Sequence, residues 1–220
     1  MAWARGSLPR MGWASVGAVE SLGEKLGSQA LLYNPLVFTW YHRVALANAP
    51  AVVQTFELIF PRAHRCIDIG AGTGTYAAAL RHRGFEAVAC ERSRVGRLYA
   101  RRQGVPCVPF DLSREPPAQV AEGFDLAYCF EVAEHVPPES AARLVGFVAT
   151  QAPVAVFTAA PPGQGGTGHV HERPKGYWIT QFARAGMRYR PDVSEAVSSA
   201  FARHGATAPW LIANVMVFER

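Results

Sequence analysis

Two carboxylates and an imidazole lie close together after the apolar run at residues 124–130, as Glu131, Glu134 and His135. Carboxylate oxygens bind hard divalent ions and neutral imidazole nitrogens bind many divalent metals, so the cluster has the chemistry of a metal site. A histidine from elsewhere in the chain could complete it. The alternative interpretation is that the three side chains form hydrogen bonds within their loop and shape a binding site without a metal.

A second pair of imidazoles, His169 and His171, lies in a glycine-rich stretch at residues 163–171. Because side chains two residues apart point the same way in an extended segment, we expect both rings to face one site. Imidazole titrates near neutral pH, so either ring could be a general base for a substrate hydroxyl or the missing metal ligand. Each could equally be an exposed loop residue. The predicted catalytic residues are His169 first, then His171 and His135, and the predicted metal ligands are Glu131, Glu134, His135 and His169.

A glycine-rich loop follows an acidic residue in the segment Asp68-Ile69-Gly70-Ala71-Gly72-Thr73-Gly74. Glycines permit positive φ angles and a close approach of backbone amides to a ligand, so the loop is predicted to hold a nucleotide-like cofactor. Dinucleotide dehydrogenases have the spacing G-x-G-x-x-G here, whereas an acid two residues before the first glycine suits a cofactor with an ammonium group. A nicotinamide oxidoreductase and a non-catalytic cofactor-binding subunit are the alternatives. The predicted binding residues are Asp68, Gly70, Gly72 and Gly74.

The elements that position these residues follow from the alternation of short apolar runs and amphipathic segments after residue 65. Such alternation predicts an α/β, doubly wound domain around a mostly parallel sheet. The predicted strands cover residues 66–69, 86–90, 105–110, 124–130, 154–158, 187–190 and 214–219, and the predicted helices cover 75–83, 94–103, 139–150, 178–185 and 192–203.

The chain before this domain has a different character. Residues 1–28 form a lead segment rich in Gly, Ser and Ala, and apolar residues recur at helical intervals from Leu31 to Phe60. The prolines of Asn34-Pro35 and Ala49-Pro50 are expected to divide that stretch into separate helices. We therefore predict a lead segment with an N-terminal helical cap at residues 1–60 and a cofactor-binding domain at residues 61–220.

From about residue 34 to its end, the chain resembles the class I S-adenosylmethionine-dependent methyltransferases through the glycine loop and the acids after the next two strands. The resemblance implies a Rossmann-like, seven-stranded sheet with an antiparallel last strand. It also implies that Glu91 holds the ribose hydroxyls and that Asp111 meets the adenine amino group, with Leu112 and Phe130 as further cofactor-binding residues. The alternative interpretation is that Glu91 is only a favourable charge at a helix N-terminus and that Asp111 is only the N-cap of a helix.

The spacing Glu-x-x-Glu-His resembles that of small-RNA 2′-O-methyltransferases and ubiquinone-pathway O-methyltransferases, which implies a magnesium-type ion that orients substrate hydroxyls. The segment Pro174-Lys175-Gly176-Tyr177-Trp178-Ile179 resembles bacterial small-molecule and glycan-tailoring methyltransferases. We therefore expect O-methylation of a hydroxyl on a small molecule or sugar-containing metabolite, with S-adenosylmethionine as donor and a possible Mg²⁺. N-methylation and C-methylation stay open as alternatives.

Composition argues against several other partners. The net charge is +5, but the basic residues are scattered and only Lys25 and Lys175 are lysines. The charge therefore gives little support to a nucleic-acid partner. No apolar run reaches the roughly 18 residues that a membrane span needs. The four cysteines are widely spaced without a C-x-x-C pair, which fits buried thiols in a reducing cytoplasm. Homo-oligomerisation stays open.

Overall fold

The apolar runs of the sequence form strands and the segments between them form helices in the computed structural model, which describes residues 34–113, 120 and 123–220. The predicted lead segment at residues 1–28 lies outside the described residues. In chain order the elements are α1 (Pro35–Ile59), β1 (Arg65–Ile69), α2 (Thr75–His82), β2 (Glu86–Glu91), α3 (Arg94–Arg102), β3 (Cys107–Pro109), β4 (Leu126–Phe130), two 3₁₀ turns (Ala133–His135 and Pro138–Ser140), α4 (Ala141–Gln151), β5 (Val154–Thr158), α5 (Lys175–Arg184), β6 (Arg188–Tyr189), α6 (Pro191–Arg203), α7 (Pro209–Ala213) and β7 (Met216–Glu219).

The strands form one seven-stranded sheet in the order β3-β2-β1-β4-β5-β7-β6. Strands β1 to β5 are parallel to one another, and β7 is antiparallel to both β5 and β6. The predicted fold class is therefore confirmed. The strand order reverses between β1 and β4, and ligands of open parallel sheets bind at such a switch point, outside the carboxyl ends of the strands.

Helices cover both faces of the sheet because alternate strand residues point to opposite sides. Ile67 of β1 packs with Leu144 of α4 in one buried cluster. Cys66, the preceding residue, packs with Tyr128 of β4 and Phe56 of α1 in the other. The four cysteines are buried and free, as predicted. Within the part of the chain that the structure describes, no helix combines the length and apolar character that a membrane span requires.

Among the described residues, the predicted N-terminal cap is one 25-residue helix, α1, so the predicted division at Ala49-Pro50 is wrong. At the other predicted division, Asn34-Pro35, α1 begins, and the Asn34 side chain accepts hydrogen bonds from its first backbone amides. Pro50 removes one backbone donor within the helix. The helix continues because Val52 and Phe56 beyond it are fully buried against the domain and hold α1 in place.

Several other boundaries differ from the predictions by up to three residues, most clearly in the third strand and in α4. The third strand covers only Cys107–Pro109, within the predicted 105–110, because prolines at 106 and 109 lack the amide donor that a strand ladder uses. The helix predicted from residue 139 begins as the 3₁₀ turn Pro138–Ser140 and becomes α-helical at Ala141. No strand has its carboxyl end, where the candidate site lies, more than one residue from the predicted position.

Candidate active site

The glycine loop after β1 has the backbone conformation that its sequence predicts. Gly70, Gly72 and Gly74 have φ angles of 74°, 53° and 69°, which favour glycine. A side chain on Gly70 would also lie 2.4 Å from a methyl group of Val132, and one on Gly74 would lie 2.7 Å from Cβ of Ala100. The loop is thus closely packed against the segment after β4 and against α3.

Glu91, at the end of β2, holds this loop in place. Its Oε2 accepts a hydrogen bond from the Gly72 amide at 2.8 Å, and its Oε1 accepts one from the Ser93 amide at 2.6 Å. Burial raises the pKa of Glu91 to about 7, although both backbone hydrogen bonds favour the charged form. Each carboxylate oxygen has a second lone pair, so Glu91 can hold the loop and still accept ligand hydroxyls.

Glycine at position 96 was not identified from the sequence, although the site depends on it. A Cβ there would lie 2.4 Å from the Gly72 carbonyl oxygen, 2.7 Å from the Phe38 ring and 2.8 Å from Cγ of Glu91. Helix α3 can therefore approach the loop this closely only with glycine. A small residue in the first turn of a helix is too common a pattern to reveal such a contact.

Asp68, the acid before the glycines, is 3% exposed, and its Oδ2 atom has no hydrogen-bond partner among the described residues. Burial raises its pKa well above the ordinary value, and the neighbouring Tyr128 hydroxyl partly offsets that shift. A buried carboxylate without donors is costly. An ammonium group of a bound cofactor would provide the missing donor, so the residues present fit the cofactor that the sequence implies.

The remaining predicted cofactor residues lie at the carboxyl ends of β3 and β4. Asp111 is half-buried, and its Oδ1 accepts hydrogen bonds from the amide and hydroxyl of Ser113, as a turn cap does. Leu112 packs against the core next to it. Phe130 is half-buried, with ring contacts to Tyr76 and other aromatic residues. Their roles in binding stay predictions.

Glu131 has a positive φ angle of 51°, which is unusual for a residue other than glycine. Its two oxygens accept hydrogen bonds from Gln164 Nε2 at 2.7 Å and from Asn214 Nδ2 at 3.2 Å. The two amides also contact each other, since Asn214 Nδ2 donates to Gln164 Oε1 at 2.8 Å. Gln164 and Asn214 were not identified from the sequence, because no local pattern connects either to Glu131.

The structure brings Glu134, His135 and His169 together, with one possible ligand atom of each within 4.8 Å of the others. Glu134 is fully buried, and neither of its carboxylate oxygens has a hydrogen-bond partner among the described residues. Burial, and then the charge of nearby Glu131, raise its pKa well above the ordinary value. Burial therefore disfavours the charged form of this carboxyl group unless a cation lies beside it.

Each imidazole of this cluster has a hydrogen-bond acceptor beside its Nδ1 atom, and the two rings are nearly perpendicular, with centroids 4.9 Å apart. His135 Nδ1 lies 3.2 Å from the Gly168 carbonyl oxygen, and His169 Nδ1 lies 2.9 Å from Oε1 of Glu172. Because both partners accept hydrogen bonds, each Nδ1 carries a proton, and a neutral ring then has its lone pair on Nε2. His169 Nε2 is 3.9 Å from Oε1 of Glu134. Burial lowers the pKa of His135 to about 4, so its ring is neutral at physiological pH.

His171 lies in different surroundings. It is buried, and its ring packs against Tyr177 and Trp178 at centroid distances of 5.4 and 5.5 Å. The prediction that it points the same way as His169 is therefore wrong. The segment 169–171 is not extended, because the successive amides of Val170 and His171 both donate to the Glu134 carbonyl oxygen.

The close packing of Gly70 on Val132 connects the cofactor loop to the acid and imidazole cluster, since Val132 follows Glu131 directly. The two sets of polar residues therefore meet at one edge of the sheet, around the switch point between β1 and β4. This arrangement can hold a nucleotide-like ligand and place its reactive end next to ionisable groups.

Known structures share this fold. A sugar N-methyltransferase, KedS8, from a Streptoalloteichus species has a TM-score of 0.60 at 18% identity, over 80% of this chain and 87% of its own. An O-methyltransferase family protein from Burkholderia thailandensis has a TM-score of 0.63 at 15% identity, over 96% of this chain and 68% of its own. The amino pentose methyltransferase CalS10 from Micromonospora echinaspora was solved with bound S-adenosylmethionine. It has a TM-score of 0.57 at 16% identity, over 82% of this chain and 91% of its own.

The family of the chain is shown at the level of sequence. No curated protein matches the chain in a sequence comparison. A family model described as a methyltransferase domain, however, matches residues 40–155, from within α1 to β5. The match includes the glycine loop, Glu91, Asp111, Glu134 and His135, and it ends before His169. Because this match covers more than half of the 220 residues, the chain belongs to the family of methyltransferase domains.

Proposed function

We propose that the chain transfers a methyl group from S-adenosylmethionine to a hydroxyl oxygen of a small molecule or sugar-containing metabolite. The observation that carries the proposal is the contact between Gly70 and Val132, which joins the donor loop to the Glu134, His135 and His169 cluster. When bound, S-adenosylmethionine supplies an electrophilic sulfonium methyl group, so the protein has mainly to position it.

Three acids of the chain would hold the donor. The unpartnered oxygen of buried Asp68 accepts from the ammonium group, and Glu91 accepts from the ribose hydroxyls with its remaining lone pairs. Asp111, at the end of β3, lies at the sheet edge where the adenine amino group is expected. The glycines have no side chains, so the loop amides stay open to a close approach by the ligand.

The cluster after β4 would act on the acceptor. The residues present fit a divalent ion, because Glu134 is buried without donors and both imidazoles have an Nε2 lone pair. A divalent ion held there would lower the pKa of an acceptor hydroxyl. Two imidazoles and one carboxylate suit a transition ion better than the predicted Mg²⁺, which prefers oxygen ligands. Glu131, the fourth predicted ligand, is held instead by two amide groups.

A second mechanism uses the same histidine without a metal. His169 Nε2 could accept the hydroxyl proton directly, because its lone pair is available and its Nδ1 proton is held by Glu172. The two mechanisms exclude each other, since one lone pair cannot bind an ion and a proton together. The first predicts that exhaustive chelation abolishes turnover, and the second predicts that chelation has no effect.

N-methylation is the competing function, because two of the structural neighbours are a sugar N-methyltransferase and an amino pentose methyltransferase. The test is methyl transfer from labelled S-adenosylmethionine to matched pairs of hydroxy and amino sugars, with the product linkage read by NMR. Methyl groups on oxygen support the proposal. Methyl groups only on nitrogen would overturn it, and binding of NADH in place of S-adenosylhomocysteine would overturn the donor as well.

A further inference from the structure

Glu172 receives three hydrogen bonds from the loop before it. Its Oε1 accepts from His169 Nδ1 at 2.9 Å and from the Gly165 amide at 2.8 Å. Its Oε2 accepts from the Gly163 amide at 2.8 Å. The side chain of Glu172 is 19% exposed and that of His169 is 11% exposed, so the bond between them is partly shielded from water. One carboxylate therefore closes residues 163–172 into a compact loop.

The backbone of the loop is shaped for this carboxylate. Gly163 and Gly165 have φ angles of 84° and 68°, which turn their amides toward Glu172. Gln164 lies between these two glycines, and its side chain donates to Oε2 of Glu131. The carboxylate that orients His169 thus also holds the turn that carries Gln164 to Glu131.

The hydrogen bond to His169 selects one tautomer. A carboxylate only accepts, so a neutral ring carries its proton on Nδ1 and has its lone pair on Nε2, the atom nearest Glu134. Carboxylates in this relation to a histidine commonly fix the ring and raise its basicity as a ligand. No role for Glu172 follows from the sequence pattern alone, because acids in glycine-rich loops are common.

We propose that Glu172 is the positioning residue of this site, fixing His169 in the Nδ1-protonated tautomer and holding the 163–172 loop against Glu131. This inference rests on the proposed function only for its effect on turnover. Its effect on the tautomer of His169 and on the loop does not depend on any substrate.

The experiment compares the wild-type chain with Glu172→Ala and Glu172→Gln, with Glu195→Gln as control because Glu195 is exposed on α6. Long-range ¹H–¹⁵N spectra give the tautomer of His169, identified by its absence in His169→Asn. Calorimetry gives the affinities for Mn²⁺ and S-adenosylhomocysteine, and circular dichroism checks that each variant is folded. Glu172→Gln keeps an oxygen that can accept and removes the charge.

We expect the wild type and Glu195→Gln to have His169 protonated on Nδ1 and Glu172→Ala to lose that preference. Mn²⁺ affinity should fall by about 10- to 100-fold in Glu172→Ala and by less in Glu172→Gln, with S-adenosylhomocysteine affinity unchanged. An unchanged tautomer in both folded variants would overturn the proposal. If the wild type binds no Mn²⁺, the metal part of the proposed function fails, and the tautomer alone decides the role of Glu172.

Discussion

Asp68 and Glu134 both bury carboxylate oxygens that lack hydrogen-bond donors among the described residues. Burying an ionised carboxylate without a partner is costly, so such groups bind a proton or a positively charged ligand. Asp68 lies before the glycine loop and Glu134 lies after β4, on the two sides of the contact between Gly70 and Val132. At the scale of residues, these two acids mark where an ammonium group and a divalent ion would complete the site.

Gly166 gives a test of the position of His169. A Cβ on Gly166 would lie 2.3 Å from His169 Nε2, so Gly166→Ala must displace the imidazole. Because a displacement of about 1 Å can lower turnover roughly 100-fold, we expect kcat to fall by about that factor. S-adenosylhomocysteine affinity, measured by calorimetry, should not change. Gly176→Ala is the control, since no heavy atom lies within 4 Å of its added Cβ. Equal kcat values in the two variants would contradict the assigned role of His169.

Glu91 predicts how cofactor binding depends on pH. Burial raises its pKa to about 7 in the free protein, and its charged form is the better acceptor for ribose hydroxyls. A proton must therefore leave Glu91 on binding below neutral pH, so S-adenosylhomocysteine affinity should fall as the pH decreases from about 8 to 5.5. Glu91→Gln should bind S-adenosylhomocysteine more weakly. Its affinity should also depend less on pH, because one proton fewer is released on binding. Calorimetry at several pH values measures both, and identical dependences would contradict the assignment.

Helix α3 illustrates how an element limits the donor site. Gly96 lies at its first turn, where an added Cβ would meet the Gly72 carbonyl oxygen, the Phe38 ring and Glu91. We expect Gly96→Ala to push α3 away from the loop at a cost of about 1–3 kcal/mol, and to weaken S-adenosylhomocysteine binding about tenfold. Gly146→Ala, within α4 and without neighbours for its added Cβ, should leave binding unchanged. Thermal unfolding and calorimetry measure the two effects; normal binding in folded Gly96→Ala would contradict the close approach.

Most strands and helices could be predicted from the sequence, because short apolar runs and amphipathic periods are local signals. The exceptions arose where tertiary contacts decide. Burial of Val52 and Phe56 keeps α1 continuous through Pro50, and the bonds from the Val170 and His171 amides to the Glu134 carbonyl oxygen direct His169 and His171 differently. In the candidate site, the residues at strand ends could be predicted from their spacing. Gln164, Glu172 and Asn214 could not, because they come from loops or distant segments and no sequence period relates them to Glu131 or His169.

At the scale of the whole molecule, a buried side chain of α1 binds a segment near the C-terminus. Asn48 of α1 is buried, and its Oδ1 accepts hydrogen bonds from the amides of Thr207 at 2.7 Å and Ala208 at 2.9 Å. Thr207 and Ala208 lie 159 and 160 residues after Asn48 in the sequence. The same helix packs its Phe56 into the cluster that contains Tyr128 of β4. We therefore expect the helical cap and the sheet domain to unfold as one unit.

Asn48→Ala tests this connection. It leaves two amides without their partner, so the free energy of unfolding should fall by about 2–3 kcal/mol. Asn34→Ala, which removes only the helix cap of α1, should lower it by about 1 kcal/mol. Urea unfolding followed by circular dichroism and by tryptophan fluorescence measures both values. Two separate transitions in the wild type, or a larger loss in Asn34→Ala, would contradict a single unit.

The most direct test of the proposed function is a diffraction experiment on crystals grown with S-adenosylhomocysteine and Mn²⁺. We predict the homocysteine amino group beside Asp68, the ribose beside Glu91, and an anomalous Mn²⁺ peak among Glu134, His135 and His169. The sulfur atom should face that peak. Cofactor bound away from the glycine loop, or no Mn²⁺ among these three side chains, would contradict the account.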